Sequence, residues 1–199
     1  MPLWRTSPLV LASRSVPRRA MLEAAGIPVE VELPLIDERA TETAAGPRGP
    51  AETAALLAAA KAKAVHAPGR LVVGADQTLA LGGHRFDKPA DRAAARRQLM
   101  MLSGKTHELY AAVAVARDGA ILFEAVDQAS LAMRPLSNDF LDAYLNAAGD
   151  AVLASVGAYQ LERLGVHLFE RVTGDHFTIL GLPLLRLLDF LRREGSLAG

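Results

Sequence analysis

The stretch Leu71 to Pro89, LVVGADQTLALGGHRFDKP, constrains the fold of this chain more than any other. An apolar run containing Gly74 leads straight into Asp76, which reads as a buried strand with a carboxylate at its mouth. Gly82-Gly83 then supplies a hairpin turn, His84 to Phe86 returns, and Lys88 follows. A buried acid needs a cation, a metal or a hydrogen-bond donor beside it. With a lysine delivered nearby, the arrangement suits metal-assisted phosphate chemistry. Taken alone, Asp76 also reads as the cap of a Gln77-Thr78 turn.

Around this stretch the pattern alternates between short strands and helices. Pro8 to Ala12 is a strand, and a helix follows with Ser15 as cap, Pro17 at its start and Gly26 as its stop. Val29 to Ile36 reads as a partly exposed strand ending at Asp37-Glu38. From Ala51 the alanine-rich segment predicts a strong helix running toward Ala67-Pro68-Gly69. Ala90 to Leu102 and Ser137 to Ala147 are further helices. Tyr110 to Ala116 and Ala120 to Ala125 pair across Arg117-Asp118-Gly119, and Gln128 to Arg134 is a separate strand. Val166 to Val172 and Phe177 to Leu180 read as strands, and Leu184 to Arg193 closes the chain as a helix begun by Pro183. The expected fold class is mixed α/β, in a single domain spanning 1–199.

Composition excludes several kinds of chemistry. Twenty-two basic residues balance twenty-two acidic ones, so no overall positive field exists to hold a nucleic acid. Without cysteine there is no disulfide framework, zinc ribbon or thiol nucleophile. The five histidines show no HxH or HExxH spacing, and no Walker, GxGxxG or GxSxG motif occurs. The short apolar opening has arginines after it as well as before it, unlike a secretory signal, and no uncharged run approaches the roughly 20 residues of a membrane helix. The expectation is a soluble cytoplasmic protein without nucleic-acid or membrane partners.

Three other clusters bear charge in informative places. Arg18 and Arg19 lie in the first turn of a helix, where a positive charge opposes the macrodipole unless an anion binds there. Asp37-Glu38 offers carboxylates to a hard divalent cation, or is a solvated turn. Lys61 and Lys63 interrupt an alanine-rich helix, as a solvent face or as a point charge for phosphate.

Taken together, Ser13-Arg14-Ser15-Val16-Pro17-Arg18-Arg19, Asp37-Glu38, Lys61-Ala62-Lys63-Ala64, Gly74-Ala75-Asp76, Lys88-Pro89, Leu102-Ser103-Gly104 with His107, Gly157-Ala158-Tyr159 and Gly181-Leu182-Pro183 form an ordered set. In that order they resemble the Maf, or septum-formation-inhibitor-like, family across nearly the whole chain. The resemblance implies a nucleoside triphosphate pyrophosphatase that cuts between the α and β phosphates, aided by a divalent cation, Mg²⁺ or Mn²⁺, and commonly acting as a homodimer. It implies an elongated mixed α/β fold like that of the inosine-triphosphate pyrophosphatase group, with two lobes around a cleft.

By position, the resemblance implies Asp76 as the catalytic acid, either general base or metal organiser. It implies Glu38 as support for metal or substrate, and Arg18, Lys61 and Lys88 as phosphate ligands. Relative to the common SPRR form the opening motif carries an additional Val16, so the resemblance implies a substrate-binding serine here, Ser13, with its alignment to the family open by one residue between Ser13 and Ser15. Glu162, in Tyr159-Gln160-Leu161-Glu162-Arg163, stands where dTTP- and UTP-selective members carry glutamine. Together with Gln77 and the Leu168-Phe169-Glu170-Arg171 block, it resembles the branch acting on 7-methyl-GTP. The alternatives are a dTTP/UTP pyrophosphatase, a non-catalytic regulator of cell division and a phosphatase releasing single phosphates.

Overall fold

The computed structural model describes residues 2–199. Strand β1 (Leu9–Leu11) leads into helix α1 (Val16–Ala24) and strand β2 (Val29–Val31), then α2 (Glu38–Ala45) and α3 (Pro50–Ala64). Strands β3 (Val72–Leu81) and β4 (His84–Phe86), helix α4 (Arg92–Leu102), and the long strands β5 (Thr106–Arg117) and β6 (Ala120–Met133) follow. Helix α5 (Asn138–Ala148), three short 3₁₀ turns, β7 (Phe169–Thr173), α6 (His176–Ile179) and α7 (Leu184–Arg193) complete the chain. The strands form a mixed sheet of order β2-β1-β3-β5-β6-β7, with β4 paired to β3 off that path. The mixed α/β class is as expected.

Several local features follow directly from the residues. The β1-α1-β2 segment pairs in parallel, because a helix is long enough to return the chain to the same end of the sheet. Two tight hairpins carry φ > 0 at both turn residues: Gly82 and Gly83 between β3 and β4, and Asp118 and Gly119 between β5 and β6. Ser15, Asp37, Asp91 and Ser137 each accept a backbone N–H at the start of a helix.

The differences from expectation are also local. Residues 29–36 hold only a three-residue strand, and Asp37-Glu38 begins α2 rather than ending β2. The Asp37 carboxylate accepts from the Ala40 N–H, a capping contact that overrides the extended pattern before it. Gln128 to Met133 is the continuation of β6, not a separate strand, because nothing in Val126-Asp127 breaks the pairing. Val166 to Leu168 belongs to a 3₁₀ turn, and Phe177 to Ile179 lies in the short helix α6, capped by Asp175. Asp76 is the fifth residue of a ten-residue strand, so there is no Gln77-Thr78 turn for it to cap.

By packing, the chain divides into two compact units: 1–77, 110–127 and 181–199 form the first, and 78–109 and 128–180 the second. The first buries an alanine layer in which Ala54, Ala58 and Ala62 of α3 pack with Ala112, Ala114 and Ala116 of β5. The second is built on larger side chains, among them Leu79, Phe86, Leu99, Leu131, Met133, Leu141 and Leu145. Among the described residues, no helix is long and apolar enough to cross a membrane.

Candidate active site

The packing of α3 onto β3 creates the charged centre of the first unit. Successive strand residues point to opposite faces, so Gly74 and Asp76 share one face of β3. A side chain at Gly74 would come within 2.1 Å of the Ala58 carbonyl oxygen and 2.6 Å of the Ala62 nitrogen. The missing Cβ therefore lets the helix lie directly on the strand. The buried face of α3 includes Thr53, Leu57 and Lys61, a four-residue repeat that carries the lysine toward Asp76, two strand positions beyond Gly74.

Lys61 and Asp76 are each only 8% exposed. The Lys61 ammonium donates to Asp76 Oδ1 at 2.6 Å and stands 2.9 Å from Glu38 Oε1. Glu38 reaches this point from the first turn of α2, with half of its side chain exposed. Lys63, by contrast, faces solvent. One lysine of the pair thus belongs to the buried face and the other to the solvent face.

Arg18 braces the same strand from α1. Its Nε donates to the Gly181 carbonyl at 2.8 Å, and its Nη1 donates to the Ala75 carbonyl at 2.9 Å and to Ser13 Oγ at 3.2 Å. Ser13 Oγ also accepts from the Ser15 N–H. Nη2 makes no hydrogen bond to the described residues, and the guanidinium holds three segments together through Nε and Nη1. Gly181 has φ +96, a conformation that glycine adopts readily and other residues strain to reach. Its carbonyl is a partner that no sequence motif discloses, because backbone acceptors carry no residue signature.

The electrostatics are those of a desolvated, internally balanced cluster. Burial pushes the Asp76 carboxyl above its ordinary range, and Lys61 and Arg18 pull it back toward the charged form. Burial likewise lowers the Arg18 guanidinium, opposed by Asp76 and Glu38. Two carboxylates and two cations in one place make the centre neutral by formal count.

Ser13, Arg18, Glu38, Lys61, Asp76 and Gln77 all belong to the first unit, and direct contacts join Ser13 to Arg18 and Glu38 and Asp76 to Lys61. Gln77 is partly buried on the strand face opposite Asp76. Lys88 and Glu162 belong to the second unit, and both are exposed. Lys88 follows β4 directly before the buried Pro89. Glu162 sits in a turn tied by Gln160, whose carbonyl accepts from the Arg163 and Gly165 N–H groups, both at 3.1 Å.

A buried polar pair lies in the core of the second unit. His107, fully buried, has its Nε2 at 2.8 Å from the Tyr159 hydroxyl, while its Nδ1 has no partner among the described residues. Burial lowers the imidazole to about 4 and raises the Tyr159 phenol. The Tyr144 hydroxyl donates to the Ala158 carbonyl at 3.2 Å, holding Ala158 at φ +62. The motif residues His107 and Tyr159 thus meet directly, and Ala158 beside them is held by Tyr144.

As a site for a hard divalent cation, the first unit offers two carboxylates, Asp76 and Glu38, converging on one point. Among the described residues no group of three or more His, Cys, Asp or Glu gathers anywhere. Two protein oxygens with the remaining positions left to phosphate and water is the usual arrangement for Mg²⁺ beside a nucleotide, so the donor set fits.

Comparison with known proteins finds relatives for the chain as a whole. Residues 8–194 match the family described as Maf-like protein. The chain is 56% identical to a nucleoside triphosphate pyrophosphatase of Nitrobacter hamburgensis, over 100% of both chains. It is 57% identical to one of Bradyrhizobium diazoefficiens, again over 100% of both. A solved HAM1 protein from Coxiella burnetii aligns with 64% of this chain and 73% of its own, at a TM-score of 0.44 and 16% identity.

Proposed function

The chain belongs to the Maf family, and from that premise we propose that it is a nucleoside triphosphate pyrophosphatase in which Asp76 activates water for attack at the α phosphorus. The products are the nucleoside monophosphate and pyrophosphate. The observation that carries this reading is the buried Asp76 carboxylate held 2.6 Å from Lys61 and adjoined by Glu38 and Arg18.

Each residue has a distinct task. Without nucleotide, Lys61 donates to Asp76 Oδ1; with the triphosphate bound, the Asp76 carboxylate takes the proton of the attacking water. Lys61 and Arg18 pull the buried carboxylate toward its charged, basic form, opposing the desolvation that raises it. The free Nη2 of Arg18, Lys61 and the exposed Lys88 are the cations offered to phosphate oxygens, on which negative charge accumulates as pyrophosphate leaves. Ser13, whose hydroxyl steadies Arg18, orients that guanidinium. Asp76 and Glu38 would hold Mg²⁺ or Mn²⁺, which when bound supplies charge neutralisation on the phosphates.

For the base, we favour 7-methyl-GTP or a related modified nucleotide over dTTP and UTP. The support is Glu162, an exposed carboxylate able to accept from a guanine edge or face the positive charge of a methylated ring. Gln77 is the second residue assigned to base preference. The expected assembly is a homodimer acting on a small-molecule triphosphate.

Product analysis on a panel of triphosphates, with Mg²⁺ or Mn²⁺, tests this reading. Pyrophosphate as the first product, fastest from 7-methyl-GTP, is the expected outcome. Orthophosphate as first product would move cleavage to the β–γ anhydride and make the protein a phosphatase releasing single phosphates, and no product from any triphosphate would favour a binding regulator. Preference for dTTP would overturn the role given to Glu162, and Glu162→Gln is expected to shift selectivity toward the pyrimidine nucleotides.

A further inference from the structure

The ammonium of Lys61 occupies the point on which both proposed metal-binding carboxylates converge, 2.6 Å from Asp76 Oδ1 and 2.9 Å from Glu38 Oε1. Resting on the metal assignment above, we infer that Lys61 acts as an internal competitor for the divalent cation, so that metal occupies the site appreciably only together with a triphosphate.

Charge and access carry the argument. In the resting cluster the Asp76 and Glu38 charges are matched by Lys61 and Arg18, and Lys61 and Asp76 are almost completely removed from solvent. A dication arriving alone adds charge to a neutral, poorly solvated centre and meets an ammonium already bonded to one oxygen of each ligand. It must share those carboxylates or displace a lysine that has no other anion on offer.

A triphosphate changes both conditions. Its oxygens give the ammonium and the free Nη2 of Arg18 new acceptors, and its negative charge offsets the dication. The lysine stem is fixed on α3 by packing against β3, so the ammonium can change partners by side-chain rotation while the helix stays in place. Metal and nucleotide then favour each other's binding by the same factor, as linkage requires. The result is an enzyme whose acid pair is kept from binding free metal between turnovers.

The experiment is titration of Mn²⁺ into nucleotide-free protein, read by the loss of its free electron paramagnetic resonance signal, for the wild type, Lys61→Met and Lys61→Gln. Circular dichroism establishes that each variant is folded. The neutral side chains are expected to tighten Mn²⁺ binding in the absence of nucleotide by roughly 5–150-fold, the usual range of a coupling between sites. Adding a non-cleavable triphosphate analogue should then raise the Mn²⁺ affinity of the wild type much more than that of either variant.

Stoichiometric Mn²⁺ binding to nucleotide-free wild type, as tight as with the analogue, would overturn the inference whatever the variants do. Unchanged or weaker Mn²⁺ binding in both folded variants would overturn it as well. Adding Asp76→Asn to Lys61→Met separates the two levels. If the double variant keeps the Mn²⁺ site, the assignment of metal to Asp76 fails. If that site is lost but Lys61→Met bound no more tightly than wild type, the competitor role alone fails.

Discussion

Lys61 Nζ lies 2.6 Å from Asp76 Oδ1 inside an almost fully buried contact between α3 and β3. The pair has two consequences of opposite kind. It favours the charged form of an acid that burial pushes toward the protonated one, and it makes that acid dependent on a residue fifteen positions earlier in the chain.

Asp76→Asn preserves the shape and one hydrogen-bond acceptor but removes the base. Pyrophosphate release is expected to fall about 10²–10⁴-fold, the usual contribution of a general base. Lys61 keeps Glu38 as a partner, so the variant should remain folded. The acid limb of wild-type kcat/KM should lie above the ordinary aspartate range of about 3.9, because burial raises this carboxyl. Initial rates across pH, with a melting curve for each protein, check both statements. An acid limb unchanged in the variant would assign the titration to another group.

Gly74→Ala tests how the pair is built. A methyl group there meets backbone atoms of α3 at 2.1 Å and 2.6 Å, and neither can rotate away. The helix has to lift from the strand, at a cost at the upper end of the about 1–3 kcal/mol typical of overpacking. For a chain of this length each kcal/mol lowers the midpoint by roughly 2–4 °C. Because the shift separates Lys61 from Asp76, activity should fall together with stability. A variant that melts like the wild type would show that α3 does not rest on Gly74.

The sequence made the site residues legible to unequal degrees. Asp76 stands out as an acid in an apolar strand, and the Lys61 side of its pairing was already present in the Thr53-Leu57-Lys61 repeat, which places that lysine on the buried face of α3. The strand runs further than its residues suggest, since Gln77 and Thr78 look like turn residues. Tertiary packing on both faces carries the extended backbone through to Leu81. Asp37-Glu38 illustrates the opposite error, because a capping aspartate after alternating residues also looks like a strand end. The partners of Arg18 were not legible at all: Ala75 and Gly181 contribute carbonyl oxygens, which every residue possesses.

Arg18→Lys separates charge from shape. Lysine keeps the cation, but a single ammonium cannot span the Gly181 carbonyl, the Ala75 carbonyl and Ser13 Oγ in the geometry of the guanidinium. The buried acceptors left without donors should cost about 1–3 kcal/mol. The expected catalytic loss is on the order of 10²-fold in kcat/KM. Thermal melting and steady-state kinetics read the two effects independently. Full activity with lowered stability would confine Arg18 to a bracing role.

His107 predicts how the second unit responds to acid. Its imidazole is fully buried and depressed from 6.5 to about 4. A depressed folded value means that the unfolded chain binds the proton more readily. The stability due to neutral His107 is therefore complete above pH 6.5 and is lost as pH falls toward about 4. The shift corresponds to about 3 kcal/mol over that window. Asp76 acts in the opposite sense, since its raised value favours the folded state at low pH and loses that contribution as pH rises through the folded value. The histidine contribution is thus best read as a difference: wild type minus His107→Gln, measured as unfolding free energy in denaturant at intervals from pH 7 to pH 4. That difference should shrink as pH falls, with a slope approaching one proton. A difference independent of pH would mean that His107 keeps its proton in the core, with its charge met by a group other than the Tyr159 hydroxyl.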